Sequence, residues 1–517
     1  MVFHFLSVCR TFVPMKPTIL HLTAFLLGLV ALMTGCNPDT DPSSGNQPNP
    51  TTQASLTIKG TYVSNASFKG TILSQTTTAH EMAPTLYYGQ GKNFSPQTAR
   101  VIKEVRWIND QEFEILAEDL LPNTTYQCCL GITTADGKKE YTETLEFMTR
   151  KSPYQHQENL DVAAATDLSE GGTANCYIIS ESGLYRFPTV KGNSQEAIEG
   201  IQQARVIWES YGSDKGISEG SLISAICYQD GQVAFEFNDF GKEGNALVAV
   251  INQEGTILWS WHIWITDPPM EQQYFNNAGT LMDRNLGATS TVPRSVEALG
   301  LLYQWGRKDP FLGTGNTQYP ASQLPAASTI TWPAPMYHDA TTGTIAYATA
   351  HPTTFIGSME EPFDWCFPGT AEAELARWDA QKTIYDPCPA GWRVPDGGPD
   401  GVWCRATDVL EVFELDTKGV SEGIEFSGIF GEDASIWYPC QGYKITTDRP
   451  DKLGLIMNYG WAGYYWSATE NHYWSHSLGK SHALYLVWGH GDNVTVAVNN
   501  TSVQADANAV RCVRESE

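Results

Sequence analysis

Apolar and polar positions divide this chain into three regimes. Residues 18–33 are almost continuously apolar, residues 37–53 contain only Asn, Pro, Asp, Thr, Ser, Gly and Gln, and from residue 54 onward short apolar runs alternate with Gly- and Pro-rich turns. No long run with helical periodicity occurs, so the third regime reads as mostly β. Ala246–Ile251 and Thr256–Ile265 flank the turn Asn252-Gln253-Glu254-Gly255 and predict a hairpin. Asp136-Gly137, set between alternating runs, predicts another. Side chains alternate along a strand, which puts Trp259, Trp261, Ile263 and Ile265 on one face and Leu258, Ser260, His262 and Trp264 on the other. Both faces are then expected to be covered, as in a sandwich, with the tryptophans filling core rather than stacking on sugars. Residues 393–405 contain Asp396-Gly397-Gly398-Pro399-Asp400-Gly401, which interrupts any helix start. A loop results, whose Asp396 and Asp400 are read as solvated turn carboxylates in preference to calcium ligands.

The first regime is too short for a comfortable membrane span and ends in Thr34-Gly35-Cys36, after a positive flank at Arg10 and Lys16. Met15-Lys16-Pro17 offers a more compact start. Leu32-Met33-Thr34-Gly35-Cys36 resembles the bacterial lipobox, which implies a signal peptide over residues 1–35 and acylation of Cys36. Residues 36–53 then form a flexible tether, unable to bury a core. The implied location is the outer membrane, lipid-anchored and surface-exposed, with the bilayer as a partner through Cys36.

Composition narrows the remainder. With 58 acidic against 32 basic side chains the net charge is −26, which excludes nucleic acid as a partner. The chain's 517 residues allow three or four domains. Three globular units are read, at 54–150, 157–268 and 271–517. Of the 11 cysteines, Cys9 and Cys36 belong to the leader; an odd number remains, so at least one thiol is unpaired. Adjacent Cys128 and Cys129 are expected to give one core and one surface thiol, and Cys176 and Cys227 are candidates for a pair within the middle unit. Gly216-Ile217-Ser218-Glu219-Gly220 matches a nucleophile-elbow pattern, yet its β surroundings and polar approach, Tyr211-Gly212-Ser213-Asp214-Lys215, lack the strand–turn–helix context that gives the pattern meaning. His80-Glu81 lacks the second histidine of a zinc motif. No cofactor and no metal are expected.

Leu121-Pro122-Asn123-Thr124-Thr125-Tyr126 resembles the corner of fibronectin type III domains, where the tyrosine hydroxyl bonds back to the main chain; Tyr126 is then structural. In the last unit five motifs occur in order: Leu281-Met282-Asp283-Arg284-Asn285-Leu286-Gly287, Gly300-Leu301-Leu302-Tyr303-Gln304-Trp305-Gly306-Arg307, Asp386-Pro387-Cys388-Pro389-Ala390-Gly391-Trp392-Arg393-Val394-Pro395, Gly463-Tyr464-Tyr465-Trp466-Ser467, and Asn508-Ala509-Val510-Arg511-Cys512. The set resembles the Fibrobacter succinogenes major paralogous domain of Bacteroidales surface lipoproteins, related to C-type-lectin-like and formylglycine-generating-enzyme folds. Gly172-Thr173-Ala174-Asn175-Cys176-Tyr177 and Trp259-Ser260-Trp261-His262 resemble the sandwich that often precedes it, including in fimbria-associated proteins. The fold implied is multidomain and mostly β: two β-sandwich modules followed by an α+β C-type-lectin-like domain. The resemblance also implies a disulfide between Cys388 and Cys512. The calcium tripeptides of true C-type lectins are not found, Glu361-Pro362-Phe363 being a partial echo, and the copper-binding cysteine pair of the enzymes is not matched.

These readings predict a non-enzymatic surface adhesin or fimbrial accessory or tip subunit, with fimbrial subunits or glycans as partners. The alternative is a glycan-binding lipoprotein for nutrient capture, favoured by aromatics expected in exposed loops: Tyr464, Tyr465, Tyr473 and Trp474. Tyr473, Trp474 and His490 are the candidate ligand-binding residues, because recognition concentrates on loops and amphipathic aromatics. Trp466 and Trp488 are assigned to the core. His482, His490 and Asp492 are read as scattered exposed residues in preference to a metal site. Cys36→Ala is expected to release the protein from the membrane fraction; retention on membranes through a carbonate wash would refute the anchor.

Overall fold

The computed structural model describes residues 53–515, apart from 74–78, 93, 213–214, 239–240, 314–331, 360, 362, 369–376, 417–421, 472–479 and 489–492. The leader, Cys36 and nearly all of the tether lie outside the described residues. The α-helices among the described residues are Ile345–Ala350 and Val402–Thr407, and none is long and apolar enough to cross a membrane. Among the described residues everything else that is regular is strand or 3-10 turn, and the chain from Asn49 onward forms one compact unit.

The first module is two sheets face to face. One runs in the order Ala54–Thr61, Ala66–Ile72, Glu112–Ala117, Arg106–Trp107; the other runs Arg100–Ile102, Thr85–Gln90, Thr125–Thr133, Lys139–Tyr141, with Leu145–Met148 also on Thr125–Thr133. The Asp136-Gly137 turn closes a hairpin in which Thr134 N–H donates to the Lys138 carbonyl at 2.8 Å. Tyr126 lies in the core between Tyr88 and Phe147, and its hydroxyl accepts from Leu121 N–H at 2.9 Å, the corner bond. Cys128 and Cys129 point to opposite faces, yet both are buried, contrary to the expected surface thiol. Cys128 joins the main core, whereas Cys129 is covered on the outer face by Tyr87, Phe94 and Tyr141. Burial pushes both thiols up to about 12.

The middle module pairs a four-stranded sheet (Thr166–Asp167, Gly183–Pro188, Gln232–Phe237, Ile223–Gln229) with a five-stranded one (Cys176–Ile179, Ile257–Ile265, Gly244–Ile251, Gln203–Tyr211, Lys215–Gly216). The predicted hairpin, Gly244–Ile251 with Ile257–Ile265, sits at the centre of the larger sheet. Trp259, Trp261, Ile263 and Ile265 fill the space between the sheets. The opposite face is equally buried, but what covers it is the third unit. Trp264, Trp208, Leu247 and Cys176 share one core with Met282, Leu286, Trp305, Cys388 and Cys512, and Trp264 Nε1 donates to the Ala288 carbonyl at 3.0 Å. Cys176 therefore faces the third unit while Cys227 packs against Val162 and Ala234, and the two do not pair.

The third unit carries a small sheet (Glu271–Tyr274, Gly279–Met282, Val513–Arg514, Trp392–Arg393) and a large one. The large sheet runs Val412–Asp416, Asn493–Val503, Lys480–Trp488, Ala462–Glu470, Ala507–Ala509, Tyr443–Lys444, Ile456–Met457, and Leu302–Gln304 joins it on Ala507–Ala509. Its second core gathers Tyr274, Trp403, Phe426, Phe430, Tyr438 and Tyr465 with the aliphatic face of the large sheet. A disulfide joins Cys388 to Cys512, closing a loop of 124 residues beside the shared core. Residues 394–401 form a loop, as expected, but a helix follows directly from Gly401, and Arg393, which ends the strand Trp392–Arg393, holds Asp396 in a two-pronged ion pair at 2.6 and 3.0 Å.

Trp264 is wholly buried at the junction of two units. Trp264→Ala is expected to cost about 3–5 kcal/mol, the usual range for emptying an aromatic core site. Urea unfolding reads this directly; a loss below about 1 kcal/mol would mean that the junction is loosely packed.

Candidate functional site

The five motifs that resemble the surface-lipoprotein family turn out to build scaffold. Asn285 receives Arg511 Nε at 3.1 Å on its carbonyl oxygen and donates to the Leu299 carbonyl at 2.9 Å. The Arg511 guanidinium lies 3.8 Å above the Tyr438 ring. Trp305 and Trp466 each donate through the indole to a main-chain carbonyl, of Ser467 and Tyr303 respectively. Asp386 accepts from the N–H groups of Cys388 and Val394, both at 2.9 Å, and from Lys382 at 2.8 Å. All of these side chains, Lys382 included, are nine-tenths buried or more.

The same holds for the motifs of the middle module. Asn175 donates to the carbonyls of Ile384 and Asp386 at 2.7 and 2.9 Å and accepts from Trp259 Nε1 at 3.0 Å, clasping the third unit. A side chain at Gly192 would meet Asn175 at 2.1 Å, which explains a glycine there. Ser260 meets a buried pair from the third unit: it donates to Asp309 at 2.5 Å and accepts from Lys308 at 2.6 Å, while Lys308 lies 4.6 Å over the Trp259 ring and reaches Asp309 at 2.7 Å. His262 bonds Asn245 at 2.8 Å, and burial pushes its imidazolium down to about 3, so it is a neutral core histidine.

The Gly216–Gly220 pattern is a docking loop. Ser218 bonds Asp119 of the first module at 3.3 Å, Ser221 bonds Ser64 at 3.1 Å, and Gly220, at φ +71°, leaves room for Val63, which a side chain would strike at 2.4 Å. What holds the loop is Glu209. Its wholly buried carboxylate accepts from the N–H groups of Gly220, Leu222 and Ile223 at 2.6–2.9 Å and from the Tyr154 hydroxyl at 3.2 Å. Burial pushes this carboxyl up to about 7 against those donors.

Several residues expected in exposed loops lie elsewhere. Tyr465 is fully buried on the strand Ala462–Glu470, and Tyr464 packs between Tyr443 and Tyr485, 4.6 and 4.5 Å away, on the other face of that sheet. His482 is buried on Lys480–Trp488 against Gly397 and Gly398. Trp466 is core, as read from the sequence. Tyr473, Trp474, His490 and Asp492 lie outside the described residues, as does the side chain of Trp488. Among the described residues no group of three His, Cys, Asp or Glu side chains is placed to hold a metal ion.

A cleft of about 740 Å³ lies where one end of the middle sandwich meets the third unit. The sandwich contributes Tyr211, Phe237, Lys242, Glu243, Ile265 and Thr266 from strand ends; the third unit contributes Thr289, Ser290, Ser295 and Glu297. Sequence reading gave no signal for it, since its residues come from separate turns. A smaller hollow of about 420 Å³ lies between the first and middle modules, lined by Asn123, Lys151, His156 and Glu219 among others.

No family model matches the chain, and no curated protein does. Among solved structures the chain is similar to the fibronectin type III domain of human fibronectin type III domain containing protein 3, with 16% identity over 22% of this chain and 99% of that one and a TM-score of 0.16. It is also similar to the corresponding domain of human contactin 1, with 17% identity, 24% and 100% coverage and a TM-score of 0.16. The fibronectin(III)-like modules of Clostridium thermocellum CbhA show 10% identity, 41% and 94% coverage and a TM-score of 0.14. The protein is a mostly β, multidomain chain with distant fibronectin type III-like neighbours, and at these scores the likeness says nothing of function.

Glu209 supplies a pH test. Its folded pKa is raised above the usual carboxylate value, so between pH 4.5 and about 7 the folded protein holds a proton that the unfolded chain has lost. Its contribution is fully present below pH 4.5 and is lost as pH rises through 7, at up to about 1.4 kcal/mol per pH unit. Glu209→Gln is expected to remove that slope. Urea melts of both proteins from pH 4 to 8 check this through their difference, and parallel curves would refute it.

Proposed function

We propose that this chain is a non-enzymatic lipoprotein of the bacterial outer membrane, exposed at the cell surface, and that it acts as an adhesin or as an accessory or tip subunit of a fimbria. The observation that carries this reading is the order of parts: an apolar leader ending at Cys36, a polar tether, and a body of β modules in series. Acylation at Cys36 fixes one end of such a body to the bilayer, and the modules carry the other end outward. The third unit is the C-type-lectin-like domain that its five motifs resemble. Its buried motif residues serve as scaffold, and recognition is assigned to Tyr473, Trp474 and His490, the candidates singled out from the sequence.

The modules also suit this role physically. The middle module and third unit share a core, and Ser260 of the one bonds the buried Lys308–Asp309 pair of the other, so force applied at one is transmitted to the other without a hinge. A second reading, glycan capture for nutrition, draws on the polar cleft between those two parts. Replacing Tyr473 and Trp474 together by Ala is expected to abolish adhesion of expressing cells to host cells or immobilised glycans. The melting temperature is expected to stay within a few degrees. Unchanged adhesion would remove the late loops from the binding surface, and a large loss of stability would assign both rings to the core.

A further inference from the structure

We propose that the cleft between the middle module and the third unit binds a short neutral oligosaccharide. This deepens the reading of the chain as a surface binder and rests on it.

The walls are set before any ligand arrives. Thr266 continues the strand Ile257–Ile265, whose buried outer face joins the middle module to the third unit. Its hydroxyl accepts from Arg284 Nη1 at 3.1 Å, and that buried guanidinium is held in turn by Asp267 at 2.7 Å and Asp283 at 3.0 Å. On the other side the Gly212 carbonyl is fixed by Asn245 Nδ2 at 2.7 Å, the same Asn245 that bonds His262 and, at 3.0 Å, the Gly287 carbonyl of the third unit. A site whose walls are already ordered loses little entropy on binding.

The lining selects the ligand. Hydroxyls predominate, from Ser180, Thr266, Thr289, Ser290 and Ser295, with carboxylates at Glu243 and Glu297 and one ammonium at Lys242. The acidic excess of the lining, in a chain of net charge −26, repels phosphate, sulfate and sialic acid. Of the apolar residues at the cleft, Phe237 and Ile265 are almost wholly buried and Tyr211 is half-buried, which leaves too little apolar surface for a lipid or an apolar peptide. A neutral sugar offers hydroxyls that both donate and accept, which the mixed lining satisfies, and a C–H face that packs on a tyrosine ring. Lys242 Nζ lies 5.5 Å from the Tyr211 ring centre, placing an ammonium donor beside that aromatic wall. The volume, about 740 Å³, falls within the span of small-ligand sites.

The test uses the chain from residue 49 onward, which forms one compact unit. Maltotriose, chitotriose and mannotriose are titrated by calorimetry and by saturation-transfer NMR, with a heparin tetrasaccharide as the anionic control. At least one neutral trisaccharide is expected to bind. Ser290→Trp, at the half-buried rim, is expected to abolish that binding by filling the cleft. The double change Lys242→Ala with Glu297→Ala, both exposed, is expected to weaken it about tenfold or more. Melting temperatures report folding of each variant, and a Ser290→Ala variant that still binds confirms that Trp acts by occlusion. Binding by none of the three neutral sugars, preference for the heparin fragment, or binding unaffected by Ser290→Trp would each overturn the cleft. If Ser290→Trp leaves sugar binding intact while the Tyr473 and Trp474 double variant loses adhesion, the surface-binder reading stands and only the cleft falls.

Discussion

A strand that carries bulky side chains on both faces needs two covers, and in this protein they come from different modules. Ile257–Ile265 turns Trp259, Trp261, Ile263 and Ile265 into its own sandwich and presents Ser260, His262 and Trp264 to the third unit. Without that second cover the middle module would expose Trp264, Trp208 and Leu247, an apolar patch of the kind that monomeric proteins avoid. The third unit gains as much, because the same layer closes over Trp305 and the Cys388–Cys512 disulfide.

Charge makes this placement selective. Lys308 and Asp309 are both buried, and each would be costly if left alone; Ser260 and the Trp259 ring complete their surroundings only in the register observed. Asn175 adds polar clasps to the main chain at Ile384 and Asp386. A shift of one residue along the strand would orphan all of these groups and turn Trp264 inward. Glu209 does comparable work at the other junction, gathering three N–H groups of the loop that meets the first module. Fixed modules bring strand ends and third-unit turns together as the walls of one cleft.

What was legible in the sequence followed periodicity and local turn chemistry. The two hairpins, the two-faced strand and the Tyr126 corner each depend on a few neighbouring residues, and the structure shows each of them. What was not legible depends on contacts between distant segments. Cys129 reads as a surface thiol until Phe94 and Tyr141 are folded over it, and Cys176 reads as a partner for Cys227 until the third unit covers it. Tyr465 and His482 read as loop residues because Gly and polar neighbours surround them, whereas both belong to strands of a large sheet. The Gly-x-Ser-x-Gly pattern was set aside on its context alone; its role at a junction needed Val63, Ser64 and Asp119, about a hundred or more residues away. The cleft left no trace, since no single segment supplies more than a few of its residues.

The central claim is that the middle module and the third unit are one folded body. Native-state hydrogen exchange on the chain from residue 49 onward, followed across increasing urea, tests it most directly. Amides in Ile257–Ile265 and in Gly279–Leu286 are predicted to converge on a single opening free energy, because each segment's core is completed by the other. Two separate opening energies, with the middle module exchanging while the third unit stays protected, would contradict the account.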